Sequence, residues 1–128
     1  MSNELFNQML SAYDLATHQQ KRNATFEVNQ QIILAGLYNG GFFNEAAFYG
    51  GTCLRIFHGL QRFSEDMDFS LLAPSQDFDF TQYFQPIVDQ FAMVGREVEI
   101  KKKDKKNFCK VESAFLKDNT DVYDITFQ

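Results

Sequence analysis

The feature that most constrains the fold is a glycine turn between segments of different periodicity. Residues 46–49 (AAFY) form a short apolar run bounded by turn residues, which is typical of a buried strand. Gly50-Gly51-Thr52 follows, and residues 52–58 have the apolar spacing of a short helix that ends at Gly59. Residues 67–72 then predict a second strand. Strand, glycine turn, helix and strand together predict an α+β fold.

Apolar periodicity predicts the remaining elements. We expect a first helix over residues 6–20 and a second from Asn23 or Thr25 to Tyr38, which stops at Asn39-Gly40-Gly41. A further helix is expected over residues 80–94, with Pro86 either near its first turns or kinking it. After Gly95 the pattern alternates, and we expect strands at Val98 and Ile100, over residues 108–116 and over residues 122–127. These last strands are predicted to form a meander.

Length and composition limit the class of protein. The 128 residues have the size of one ordinary domain, and no internal repeat or linker divides them. No apolar run approaches the roughly 20 residues of a spanning helix, and the N-terminus lacks the features of an export signal, so we expect a cytoplasmic protein without a membrane partner. Cys53 and Cys109 lack disulfide-framework or metal-ligand spacing, which predicts reduced thiols.

A pair of carboxylates stands where a buried strand would ordinarily be apolar. Asp66 and Asp68 are two residues apart, so both project from one face of the strand while Met67 and Phe69 enter the core. Two ionised carboxylates on one face repel unless a cation neutralises them, and Mg²⁺ is commonly held by one or two carboxylates plus substrate phosphates. The pair therefore predicts a metal site. The similar spacing of residues 77–79 is better explained by a loop and a helix cap.

The glycine turn upstream supplies a complementary feature. Without a Cβ atom at Gly50 and Gly51, the backbone can approach a phosphate closely. Free N–H groups and the helix dipole at this N-terminus favour an anion, and the Thr52 hydroxyl is a further donor. A glycine turn followed by a carboxylate pair on the next strand is what a nucleotide-dependent phosphoryl transferase needs.

The segment FYGGTCLRIFHGLQRFSEDMDFSL resembles the signature of the AbiEii/AbiGii toxin-type nucleotidyltransferases, a branch of the DNA polymerase β-like nucleotidyltransferase superfamily. The residues that match the pattern are Gly50, Gly51, Thr52, Leu54, Arg55, Arg62, Phe63, Ser64, Asp66, Asp68 and Phe69. The resemblance covers about a fifth of the chain. It implies a polymerase β-like core, a mixed β-sheet packed against helices, in a single domain over residues 1–128 that forms the N-terminal part of a longer protein.

The resemblance also implies an activity and a set of site residues. Members transfer a nucleotidyl group from an NTP, in some cases to the acceptor end of tRNA, and act as toxins paired with an antitoxin. The implied catalytic and metal-binding residues are Asp66 and Asp68, with a two-ion Mg²⁺ site and Mn²⁺ as an alternative. The implied nucleotide-binding residues are Gly50, Gly51, Thr52, Arg55, Arg62 and Ser64. The superfamily's third acid would lie on the strand after the one that ends at Phe127. Asp124 or Glu112 could replace it only if the strand order is compressed.

Five lysines between positions 101 and 106 interrupt an otherwise acidic chain of net charge −5. Such a cluster is most often a solvated strand end and turn. The alternative is a docking patch for a polyanion. It belongs to a second functional hypothesis, in which the chain is a non-catalytic or truncated module of the same fold that binds an antitoxin or a nucleic acid.

Overall fold

The computed structural model describes residues 4–59, 67–73, 78–103, 109–113 and 116–127, with side chains described as far as Lys101. Within these ranges the helices are α1 (Glu4–Leu10), α2 (His18–Asn39), α3 (Gly50–His58) and α4 (Phe84–Met93). The strands are β1 (Ala46–Tyr49), β2 (Met67–Leu71), β3 (Val98–Lys103), β4 (Cys109–Ser113) and β5 (Leu116–Phe127). Short 3₁₀ turns occupy Phe42–Asn44 and Phe80–Tyr83.

The five strands form one mixed sheet in the order β1-β2-β4-β5-β3. Strand β2 runs antiparallel to β1 and parallel to β4, while β5 runs antiparallel to both β4 and β3. This arrangement confirms the predicted α+β class and mixed sheet. The predicted meander is wrong, because β5 lies between β4 and β3 in the sheet. Strand β3 therefore pairs with β5, while β4 lies between β2 and β5.

The predicted helix over residues 6–20 is also wrong beyond Leu10. The chain leaves α1 there and starts α2 at His18, where Thr17 has an extended backbone with φ −112° and ψ 161°. The Thr17 hydroxyl accepts a hydrogen bond from the Gln20 N–H at 3.0 Å, and the Gln20 side-chain oxygen accepts from the Thr17 N–H at 3.1 Å. This reciprocal capping box satisfies two otherwise unpaired N–H groups and begins a new helix.

Several predicted boundaries are confirmed. Helix α2 ends at Asn39 before the two glycines, strand β1 covers residues 46–49, and α3 ends at Gly59, which has a left-handed φ of 73°. The predicted helix over residues 80–94 begins as a 3₁₀ turn, with Asp79 as its N-cap. Asp79 accepts from the Thr81 N–H and hydroxyl, and these hydrogen bonds lower the pKa of its carboxyl. The predicted cap at this position is therefore confirmed.

The core lies between the sheet and helices α2 and α4. On β2, Met67 and Phe69 are fully buried while Asp68 between them is half-buried, as the alternation predicted. Phe42 is fully buried at the centre of an aromatic cluster. Its ring contacts, in edge-on or tilted geometry, are Phe43, Phe69, Phe78, Phe80 and Tyr83. These contacts join β2 to the chain before α4.

Candidate metal and nucleotide site

The Asp68 carboxylate lies directly against the start of α3. Asp68 pairs with Tyr49, the last residue of β1, so the glycine turn begins beside it. A Cβ atom at position 50 would stand 2.8 Å from Asp68 Oδ2, so a side chain there would have to displace the carboxylate. Gly50 also has a φ of +88°, a left-handed conformation that glycine adopts at little cost. The structure therefore brings two of the predicted site residues together.

The backbone of the turn is suited to an anion. Tyr49 precedes α3 in an extended conformation and its side chain makes no capping hydrogen bond. The first N–H groups of a helix have no partner within the helix, and the helix dipole adds a partial positive charge there. Thr52, the third residue of α3, is only 1 % exposed, and Gly51, which lies between Gly50 and Thr52, is half-buried. The surface of the turn is mainly glycine backbone.

Arg55, predicted to contact nucleotide, is held by a carboxylate. Its Nε donates to Glu27 Oε1 at 2.6 Å and its Nη2 to Glu27 Oε2 at 3.4 Å. This pairing raises the pKa of the guanidinium further above its ordinary value. Sequence reasoning did not identify Glu27, which lies in the middle of α2.

The other predicted site residues are Arg62, Ser64 and Asp66, which lie outside the described residues. Among the side chains that the structure describes, no group of three or more His, Cys, Asp or Glu residues could hold a metal ion. The described helices also include none that is long and apolar enough to cross a membrane. Asp68 is thus the described member of the predicted carboxylate pair.

Comparison with protein families identifies the chain. Residues 32–127 match the family described as nucleotidyl transferase AbiEii toxin of type IV toxin–antitoxin systems. The chain belongs to the AbiEii nucleotidyltransferase toxin family. The matched range contains β1, α3 and β2, and therefore the contact between Gly50 and Asp68. No curated protein and no solved structure gave a match.

Within this AbiEii domain, strand register separates the two candidate third acids. Asp68 is aligned with Lys110 of β4, which is aligned with Val122 of β5. Asp124 lies two residues further along β5, toward the end of the sheet at which β2 and α3 begin. Glu112 is aligned with Ser70 and lies toward the opposite end. The register therefore favours Asp124 over Glu112.

Two other features of the AbiEii domain differ from this site in their chemistry. An apolar cavity of about 510 Å³ lies between α2, β1 and α3, and Phe43, Phe48 and Phe57 contribute to its lining. An apolar lining cannot compensate the charge of a triphosphate. On β3, the Lys101 side chain is exposed and pairs with Glu99 at 3.0 Å, as expected for a solvated strand.

Proposed function

We propose that the chain is a Mg²⁺-dependent nucleotidyltransferase that transfers a nucleotidyl group from an NTP to an acceptor, with the end of a tRNA as one candidate acceptor. Membership of the AbiEii family supports the reaction class and a cognate antitoxin as partner. The structural observation that carries the proposal is the contact between the Asp68 carboxylate and Gly50. It joins a hard, anionic metal ligand to a helix N-terminus that favours phosphate.

The proposed roles follow from the chemistry of each residue. Asp66 and Asp68 would hold Mg²⁺, and the backbone of Gly50 and Gly51 would bind the triphosphate. Thr52, Arg62 and Ser64 are the further nucleotide-binding residues that the family pattern implies. We assign the third carboxylate to Asp124 by register. When bound, Mg²⁺ would supply charge stabilisation for the phosphoryl oxygens and the leaving pyrophosphate.

The reaction that this site would perform is a displacement at the α-phosphorus of the NTP. The oxygen of an acceptor hydroxyl forms the new P–O bond, and the hydroxyl proton passes to solvent. The bond from the α-phosphorus to the α,β-bridging oxygen breaks, and pyrophosphate leaves with that electron pair. In this class of reaction the protein contributes mainly positioning and charge. The α3 N-terminus would orient the phosphates, and the carboxylates of Asp66 and Asp68 would hold the metal beside them.

Calorimetric titration of the chain with Mg²⁺-NTP tests the site, and transfer of a labelled α-phosphate to tRNA tests the reaction. We expect Asp68→Asn and Asp66→Asn to abolish transfer and to weaken Mg²⁺-dependent binding. Asp89→Asn is the matched control, because Asp89 is an exposed carboxylate on α4 that accepts a hydrogen bond from Gln85 Nε2. Equal binding by the wild type and by the Asp66→Asn and Asp68→Asn variants would contradict the assignment. Binding without transfer would favour the non-catalytic module instead.

A further inference from the structure

A charged pair connects the first half of α2 to α3. The Arg55 guanidinium makes a two-point contact with the Glu27 carboxylate, and the side chains of Arg55 and Glu27 are 21 % and 7 % exposed. A planar guanidinium and a carboxylate in this arrangement fix each other's orientation as well as their distance. Because Glu27 is buried, its charge depends on Arg55 for compensation.

A tyrosine supports the same carboxylate from the segment between α1 and α2. Burial raises the pKa of the Tyr13 hydroxyl to about 12, assisted by its hydrogen bond to Glu27 and by the Glu27 charge. Tyr13 therefore stays neutral at ordinary pH and can donate to Glu27. Gln31 Nε2 in turn donates to Tyr13 Oη at 3.2 Å. The Glu27 carboxylate is thus fixed from two sides.

These supporting residues lie outside the family match. Tyr13, Glu27 and Gln31 all precede residue 32, where the match to the AbiEii family begins, whereas Arg55 and α3 lie inside it. The N-terminal segment of this chain therefore contacts the helix that carries the glycine turn, four to five residues after that turn.

We propose that Glu27, supported by Tyr13, is a positioning residue for α3, and that Arg55 acts through this pair and does not contact the nucleotide phosphates. Moving Arg55 to a phosphate would leave the buried Glu27 carboxylate without its cation, which is strongly unfavourable. Keeping the pair fixes α3 and so keeps Gly50 against Asp68. The expected loss of nucleotide binding when this pair is broken rests on the proposed function. The expected loosening of α3 does not.

The direction in which one substitution changes Mg²⁺-NTP affinity distinguishes a positioning role of Arg55 from a phosphate-binding role. Glu27→Gln keeps the side-chain shape and removes the charge. If Arg55 positions α3, this variant should weaken Mg²⁺-NTP binding by about tenfold, a typical coupling between sites. If Arg55 were a phosphate ligand, loss of the competing carboxylate should strengthen binding, which would overturn the proposal. Asp89→Asn is the control and should bind as the wild type does.

A double-mutant cycle with Arg55→Gln gives a second readout. If Arg55 acts through Glu27, the double variant should bind nucleotide about as weakly as either single variant. Additive losses would mean that Arg55 has its own contact with the ligand, and would refute the positioning role.

Hydrogen exchange tests the same pair without nucleotide. The amides of α3 should exchange faster in Glu27→Gln and in Tyr13→Phe than in the wild type, while Asp89→Asn leaves them unchanged. Unchanged α3 exchange in both variants would overturn the inference. If the wild type bound no nucleotide, the proposed function would fail, and this measurement would still decide the role of Glu27.

Discussion

Gly50 combines a left-handed backbone with a direct contact to Asp68. Gly50→Ala should therefore have two effects. The backbone conformation should cost about 1–2 kcal/mol of unfolding free energy, because a Cβ atom is disfavoured there. The new methyl group should also displace the Asp68 carboxylate and thereby weaken Mg²⁺-NTP binding. We expect an affinity about tenfold lower, which corresponds to about 1.4 kcal/mol of binding free energy. Urea unfolding and calorimetric titration measure the two effects separately.

Gly59 provides a matched control for that prediction. It has a similar φ of 73°, but no atom of the described residues lies within 4 Å of a Cβ atom built there. Gly59→Ala should therefore lower stability by a similar amount and leave nucleotide binding as in the wild type. Equal loss of binding in both variants would show that backbone strain, and not contact with Asp68, explains the effect of Gly50→Ala.

The site residues differ in how far sequence could predict them. The glycine turn and Asp68 were predicted because residue type and short spacing carry their chemistry, and the structure places them in contact. The pairing of Arg55 with Glu27 was not predicted. The two residues are 28 positions apart on different helices, and a single glutamate in a long helix carries no signal of its partner. Contacts of this kind depend on how helices pack.

The crossing of α2 and α4 depends on a glycine. A Cβ atom at Gly36 would stand 2.8 Å from Ile87 Cα and 3.0 Å from the Pro86 carbonyl oxygen. Alanine in place of glycine ordinarily stabilises a helix interior by about 0.5–1 kcal/mol. Here the obstacle is backbone, so we expect Gly36→Ala to destabilise the protein by about 1–3 kcal/mol through overpacking. Urea unfolding, monitored by far-ultraviolet circular dichroism, measures whether Gly36→Ala lowers or raises the unfolding free energy.

Gly40→Ala is the graded comparison for that prediction. The nearest atom to its Cβ position is Pro86 Cγ at 2.9 Å, a ring atom that can move with the ring pucker while the backbone stays in place. Its loss of stability should be smaller than that of Gly36→Ala. A Gly36→Ala variant more stable than the wild type would show that α2 and α4 can separate at little cost.

Helix starts show what further signal the sequence contains. The break between α1 and α2 was missed because apolar spacing continues through Tyr13, so periodicity alone extends one helix across it. Thr17 followed by Gln20 is, however, the capping-box pattern, and it could have located the start of α2. The end of α2 was predicted correctly because two consecutive glycines interrupt a helix whatever its packing.

The order of strands could not be read from periodicity. Alternation indicates that β3, β4 and β5 are strands, and neighbours in sequence usually pair. The observed order instead depends on the parallel pairing of β4 with β2, a contact between distant segments. This pairing also bears on the candidate site, because it aligns Asp68 with Lys110 of β4 and, through Lys110, with β5. It thereby favours Asp124 over Glu112 as the candidate third acid.

The stability of the whole molecule should depend strongly on Phe42, since its fully buried ring contacts five other rings among the described residues. Phe42→Ala should cost about 3–5 kcal/mol, a large share of the roughly 5–15 kcal/mol that stabilises a domain. Met93→Ala, at a position 63 % exposed, should change stability by at most about 0.5 kcal/mol. Because the chain has no tryptophan, far-ultraviolet circular dichroism in urea is the appropriate measurement. Equal urea-unfolding midpoints for the two variants would mean that the aromatic cluster does not hold β2 to the helices. Other contacts would then have to keep Asp68 of β2 in position beside Gly50.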